Sequence, residues 1–107
     1  ILTYSKAYLH KPGTGWTMPA GVLHAPGSMC IFEVLWGSDV FCMMQNVIEG
    51  RTNPIEVLNR DVPKNKKEDL DYIVSMIDWN ATVNPNFKED HYLEPIVSTQ
   101  GDGFTDK

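Results

Sequence analysis

The sequence holds three histidines, His10, His24 and His91, and His24 has the surroundings most suited to chemistry. It lies in GTGWTMPAGVLHAPGS, residues 13 to 28, with apolar neighbours and with Pro19 and Gly21 just ahead of it. Those two residues predict a tight turn that aims the next strand, from which the histidine projects. An imidazole among apolar groups can ligate a metal or act as a general base near neutral pH. Glu33 interrupts an otherwise apolar run, and a carboxylate buried there needs a polar partner. His24, Glu33 and His10 are therefore the candidate metal ligands, and no catalytic residue is assigned. The competing reading makes His24 a core histidine bonded at one nitrogen and Glu33 an edge residue reaching solvent or a salt bridge.

Other chemistries find little support. The serines show no nucleophile-elbow spacing, and no glycine-rich phosphate loop is present. Cys30 and Cys42 do not have the spacing of a zinc pair and are expected to be small core residues. Asp69 and Asp71 read as the solvated face of a helix turn, and Trp16, Trp36 and Trp79 read as core, with a sugar-binding role as the alternative.

The elements that would position these groups follow from the pattern. MCIFEVLWGSDVFCMMQNVI, residues 29 to 48, is rich in β-branched and aromatic residues and broken only at Gly37, Ser38 and Asp39, which predicts a hairpin turning at Gly37 and Ser38. Both of its faces are apolar, so both are expected to be covered. Asn53, Pro54 and Glu56 predict the start of a short helix through Leu58. Asn65 and Glu68 repeat that signal before LDYIVSMIDW, where Leu70, Ile73, Val74 and Ile77 recur at helical spacing, predicting a helix over 66–78. From Asn80 onward no period is sustained, which predicts an extended arm.

A chain of 107 residues with 42% hydrophobic content can bury one modest core. No run reaches the roughly 18 apolar residues of a membrane span. Fourteen acidic against nine basic side chains, net −5, lack the basic stripe that a nucleic-acid surface needs. With no signal-peptide pattern at Ile1, the expected location is cytoplasmic, and the Asn80-Ala81-Thr82 sequon is incidental.

Written by spacing, the first stretch is Gly13-x5-Pro19-x-Gly21-x2-His24-x3-Ser28. It resembles the second motif of the cupin superfamily, G-x5-P-x-G-x2-H-x3-N, with Ser28 in place of the asparagine. The wider run to Lys88 is similar to the end of the first barrel and the interdomain segment of two-domain cupin proteins of unassigned function. The resemblance implies a metal-dependent enzyme of small-molecule metabolism, a dioxygenase or isomerase, holding iron, manganese, zinc or nickel with His24 as a ligand. The family's first motif, a histidine pair one residue apart followed by a glutamate, does not occur here and is expected upstream of Ile1. The divalent metal is accordingly expected to be absent from this chain by itself.

The resulting expectation is a mainly β chain: a partial double-stranded β-helix of the cupin or jelly-roll type, with one or two short helices and an extended C-terminal arm. Residues 1–50 would be the C-terminal part of the barrel and 51–107 the helical segment and extended arm or interdomain linker, together a single compact unit. Open strand edges invite pairing, so a homodimer or strand-exchanged oligomer is expected. Two functions stay open: a cupin-like metal enzyme, or a non-catalytic small-molecule-binding or oligomerisation module.

Overall fold

The computed structural model describes residues 4–37 and 40–106. Its strands are short and form three separate antiparallel pairs: β1 (Gly15–Trp16) with β4 (Tyr92–Leu93), β2 (Val47–Ile48) with β3 (Arg51–Thr52), and β5 (Thr99–Gly101) with β6 (Phe104–Asp106). Four short helices accompany them: α1 (Ile55–Leu58), α2 (Leu70–Ser75), α3 (Trp79–Thr82) and α4 (Phe87–His91). This corrects the expected mainly β, jelly-roll architecture, because the described residues form no barrel and no sheet wider than two strands.

The physical reason lies in the segment from Met29 to Met44. An isolated hairpin is marginal in water unless one face packs on something; here Cys42 and Met43 are half-buried, but Phe32, Val34 and Trp36 of the other expected strand are 92%, 75% and 98% exposed. Residues 29–37 and 40–45 carry no strand, and the expected turn residues Ser38 and Asp39 lie outside the described residues. The hairpin forms later instead, where Val47 faces Thr52 and Ile48 faces Arg51. There Glu49 and Gly50 have φ of 49° and 75°, the doubly positive pair that a two-residue turn of type I′ requires.

The chain divides into two units. One joins residues 4–19 with 83–106, and the other is residues 20–82. In the second unit the core is small: Val22, Val62, Ile73 and Ile77 are its buried apolar side chains. Asn59 is buried with them, and its side-chain amide donates to the Lys67 carbonyl at 2.9 Å, as a buried polar group must.

The helix starts differ from the expected ones. Asn53 does not cap α1; its backbone N–H donates to the Asn46 carbonyl at 2.7 Å, extending the β2–β3 turn. Asp69 caps α2 by accepting the Tyr72 N–H at 2.9 Å, four residues after the expected cap Asn65, which falls in a 3₁₀ turn. Of the expected apolar stripe, Ile73 and Ile77 are buried while Leu70 and Val74 face solvent. The first unit overturns the extended arm, since α4, β4 and the β5–β6 pair all lie beyond Asn80.

Candidate functional site

His24 is exposed, and its Nδ1 lies 2.9 Å from the Val22 carbonyl oxygen. A carbonyl only accepts, so Nδ1 carries a proton, and in the neutral ring the lone pair is on Nε2. A backbone carbonyl holding one ring nitrogen in this way is what orients a ligating histidine. Glu33 is exposed too. His10 is half-buried in the other unit, its ring 5.9 Å from that of Trp16. Among the described residues no three His, Cys, Asp or Glu side chains come together as a metal-holding group.

The cysteines also depart from the expected core role. Both are free, Cys30 is exposed, and Cys42 is half-buried with its Sγ donating to the Leu58 carbonyl at 3.0 Å. Burial pushes the Cys42 thiol up, and the nearby Asp61 carboxylate adds to this.

The densest grouping of chemically capable side chains surrounds Trp16 in the first unit. Pairing of β1 with β4 sets Trp16 opposite Tyr92, and directly opposed residues share a face of a ladder, so the rings meet edge to face at 5.2 Å. In α4, Phe87 and His91 are four residues apart and lie on one side of the helix; their rings are 4.4 Å apart, and Phe87 stacks on Trp16 at 6.1 Å. Tyr8 closes the cluster at 4.8 Å from Trp16. The Thr17 hydroxyl lies 3.0 Å from His91 Nδ1, and the Thr17 N–H donates to the His91 carbonyl at 2.9 Å, pinning the strand to the helix end.

A cleft of about 250 Å³ opens beside this cluster. Tyr8, Trp16 and Tyr92 form its apolar wall, and Lys11, Lys88 and Glu94 place two cations and one anion at its edge. The Lys88 ammonium sits 5.5 Å above the Tyr92 ring, which restrains a side chain that would otherwise be mobile. The Trp16 indole Nε1 is buried and has no hydrogen-bond partner among the described residues. A second, larger hollow at Lys64, Asn65, Lys67, Glu68 and Asp69 has polar side chains only, and so lacks the apolar wall of a small-molecule site.

Of the cleft residues only Trp16 was singled out in the sequence, as a core or sugar-stacking residue. Tyr8, Lys11, Lys88, Tyr92 and Glu94 were missed. The i, i+4 spacing of Phe87 and His91 was the signal available for α4.

No protein-family model, no curated protein and no solved structure matches the chain.

Proposed function

We propose that the chain is a non-catalytic binding module whose ligand is a small hydroxylated carboxylic acid with one apolar face. The observation that supports this reading is the cleft in which Tyr8, Trp16 and Tyr92 stand beside Lys11, Lys88 and Glu94. Each part has a task. The rings take the apolar face, one or both ammonium groups take the carboxylate, and Glu94 accepts from a hydroxyl. A volume of about 250 Å³ lies just under the roughly 300 Å³ at which drug-sized pockets begin, so the ligand is fragment-sized and its affinity is on the order of 1 mM.

Two sources share this chemistry, a hydroxybenzoate and a sugar acid, and NMR titration with para-hydroxybenzoate and with glucuronate separates them. Saturable shifts of the Trp16 indole resonance with either acid, lost in the Lys11→Gln, Lys88→Gln double variant, are expected. No saturation with either acid, or binding unchanged in the variant, would overturn the reading.

A second reading is a metal-dependent activity involving His24, favoured by the Val22 carbonyl that frees Nε2 for a ligand. It rests on the cupin-like spacing from Gly13 to Ser28. Metal analysis of the purified chain by mass spectrometry tests it: stoichiometric metal lost on His24→Ala supports it, and metal content indifferent to that change removes it.

A further inference from the structure

We propose that Asp102 and Gly103 are a site of spontaneous covalent modification, at which the aspartate isomerises to isoaspartate and the β5–β6 pair opens. The two residues form the turn between Gly101 and Phe104, which face each other across the ladder. The reaction needs a side-chain carboxyl group free to approach the next residue's backbone nitrogen, and a nitrogen free to attack it. Both are present here. Asp102 and Gly103 are exposed, neither forms a hydrogen bond among the described residues, and a Cβ on Gly103 would meet nothing within 4 Å. Asp102 is also the one aspartate in the sequence followed by glycine, and no asparagine is; glycine leaves the attacking nitrogen without a neighbouring side chain.

Other aspartates are held differently. The carboxylates of Asp61, Asp69, Asp78 and Asp90 accept from the Phe41 N–H, the Tyr72 N–H, the Ala81 N–H and the Asn84 amide. The N–H that follows Asp71 is the Tyr72 donor already held by Asp69. Each of these five would have to give up a bond before reacting, and each is followed by a residue with a side chain.

The step balances without a further reagent. The Gly103 nitrogen attacks the protonated side-chain carboxyl carbon of Asp102 and a C–N bond forms. The N–H proton and the carboxyl hydroxyl leave together as water, closing a succinimide ring. Water then adds back at the former main-chain carbonyl and breaks its C–N bond, so the chain continues through the side-chain carbon and the old carbonyl becomes a free carboxylate. The product carries one extra backbone carbon between the strands. Loop length and turn type fix the register of a hairpin, and Gly101, Gln100 and Thr99 pair with Phe104, Thr105 and Asp106 in a two-stranded sheet closed by this turn. A hairpin with no third strand is marginal in water, so the modified turn releases it. This inference is independent of the cleft.

The test keeps the full chain folded at neutral pH and physiological temperature for several weeks before digestion with trypsin. In the peptide from Glu89 to Lys107, electron-transfer fragmentation is expected to locate isoaspartate at position 102, following a transient species lighter by one water. NMR of the aged sample is expected to show the cross-strand contacts of Gln100 with Thr105 lost in the isomerised fraction. Asp102→Asn is expected to reach the same succinimide faster, by losing ammonia, and Asp102→Ser to remain unmodified. Absence of isoaspartate at position 102 in the folded chain, equal isomerisation at Asp61 or Asp69, or an isomerised fraction that keeps the Gln100–Thr105 contacts would overturn the inference.

Discussion

Gly21 and Asp78 are held against each other through their backbones: the Gly21 carbonyl accepts the Asp78 N–H at 3.0 Å, and a Cβ on Gly21 would stand 3.0 Å from that same nitrogen. The Met76 carbonyl oxygen would lie only 3.1 Å from it, and the Gly21 backbone has φ +80°. Close approach and left-handed backbone both require glycine here. Gly21→Ala is expected to lower the free energy of unfolding by about 2–3 kcal/mol, combining the left-handed penalty with the forced shift of Asp78. Gly50→Ala, where an added Cβ meets nothing within 4 Å, is expected to cost only about 1 kcal/mol. Urea unfolding followed by circular dichroism checks the pair, and equal losses would remove the role given to Asp78.

Asp69 ties the start of α2 to the turn before it. Its carboxylate accepts from the Lys66 ammonium at 2.7 Å and from the Tyr72 N–H at 2.9 Å, and these two bonds, the lysine's first, hold its pKa below the ordinary 3.8. Asp61 is lowered in the same way by Arg60 and by the Phe41 N–H. A carboxyl whose folded pKa is depressed stabilises the protein above its unfolded value and loses that contribution as pH falls through the folded one. Stability is therefore expected to hold down to about pH 5 and to decline below about pH 4. Asp69→Asn keeps a capping oxygen without the charge, so its urea midpoint should lie somewhat below the wild type's at pH 7, with a shallower acid limb that brings the two together below about pH 4. Lys66 runs the other way: its raised pKa means that its contribution is present below the ordinary lysine value and fades above about pH 10.5.

Local features were legible where a backbone requirement was written into one or two residues. Gly21 was readable as a turn glycine, and α1 and α2 were readable as helices, because turn chemistry and helical spacing act over a few neighbours. The hairpin expected at Gly37 failed because a run of apolar residues specifies a strand only when something covers its faces, and the sequence does not say what does. The ladder formed instead at Glu49 and Gly50, where the turn itself fixes the register. The aromatic cleft was hidden for a related reason: Tyr8, Trp16 and Tyr92 lie far apart in the chain, and the β1–β4 pairing that joins them spans two residues on each strand. His24, Glu33 and His10 were legible as chemical types, but spacing carried no information on whether they converge.

The two thiols should separate kinetically. Cys30 is exposed, whereas Cys42 donates to the Leu58 carbonyl and has its thiol pushed up first by burial and then by Asp61. Because the thiolate is the nucleophile, iodoacetamide at about pH 8 is expected to modify Cys30 well before Cys42, with mass spectrometry locating the adduct. In urea the two rates should converge. Faster modification of Cys42 in the folded chain would contradict its placement.

Trp16 offers the sharpest test of the first unit, since Tyr8, His10, Phe87 and Tyr92 all pack around one indole. Trp16→Ala removes the centre of that cluster, and with the ring only half-buried the loss is expected at about 2–3 kcal/mol, below the 3–5 typical of fully buried aromatics. Trp16→Phe keeps an aromatic surface between the neighbours and deletes the buried Nε1–H that has no partner. An unsatisfied buried donor costs about 1–3 kcal/mol, which offsets much of the packing lost with the smaller ring, so the net change is expected to stay within about 1 kcal/mol. Thermal unfolding of both variants measures the difference. A phenylalanine variant as unstable as the alanine one would mean that Nε1 has a partner after all, and that the indole is held by that bond rather than by the rings around it.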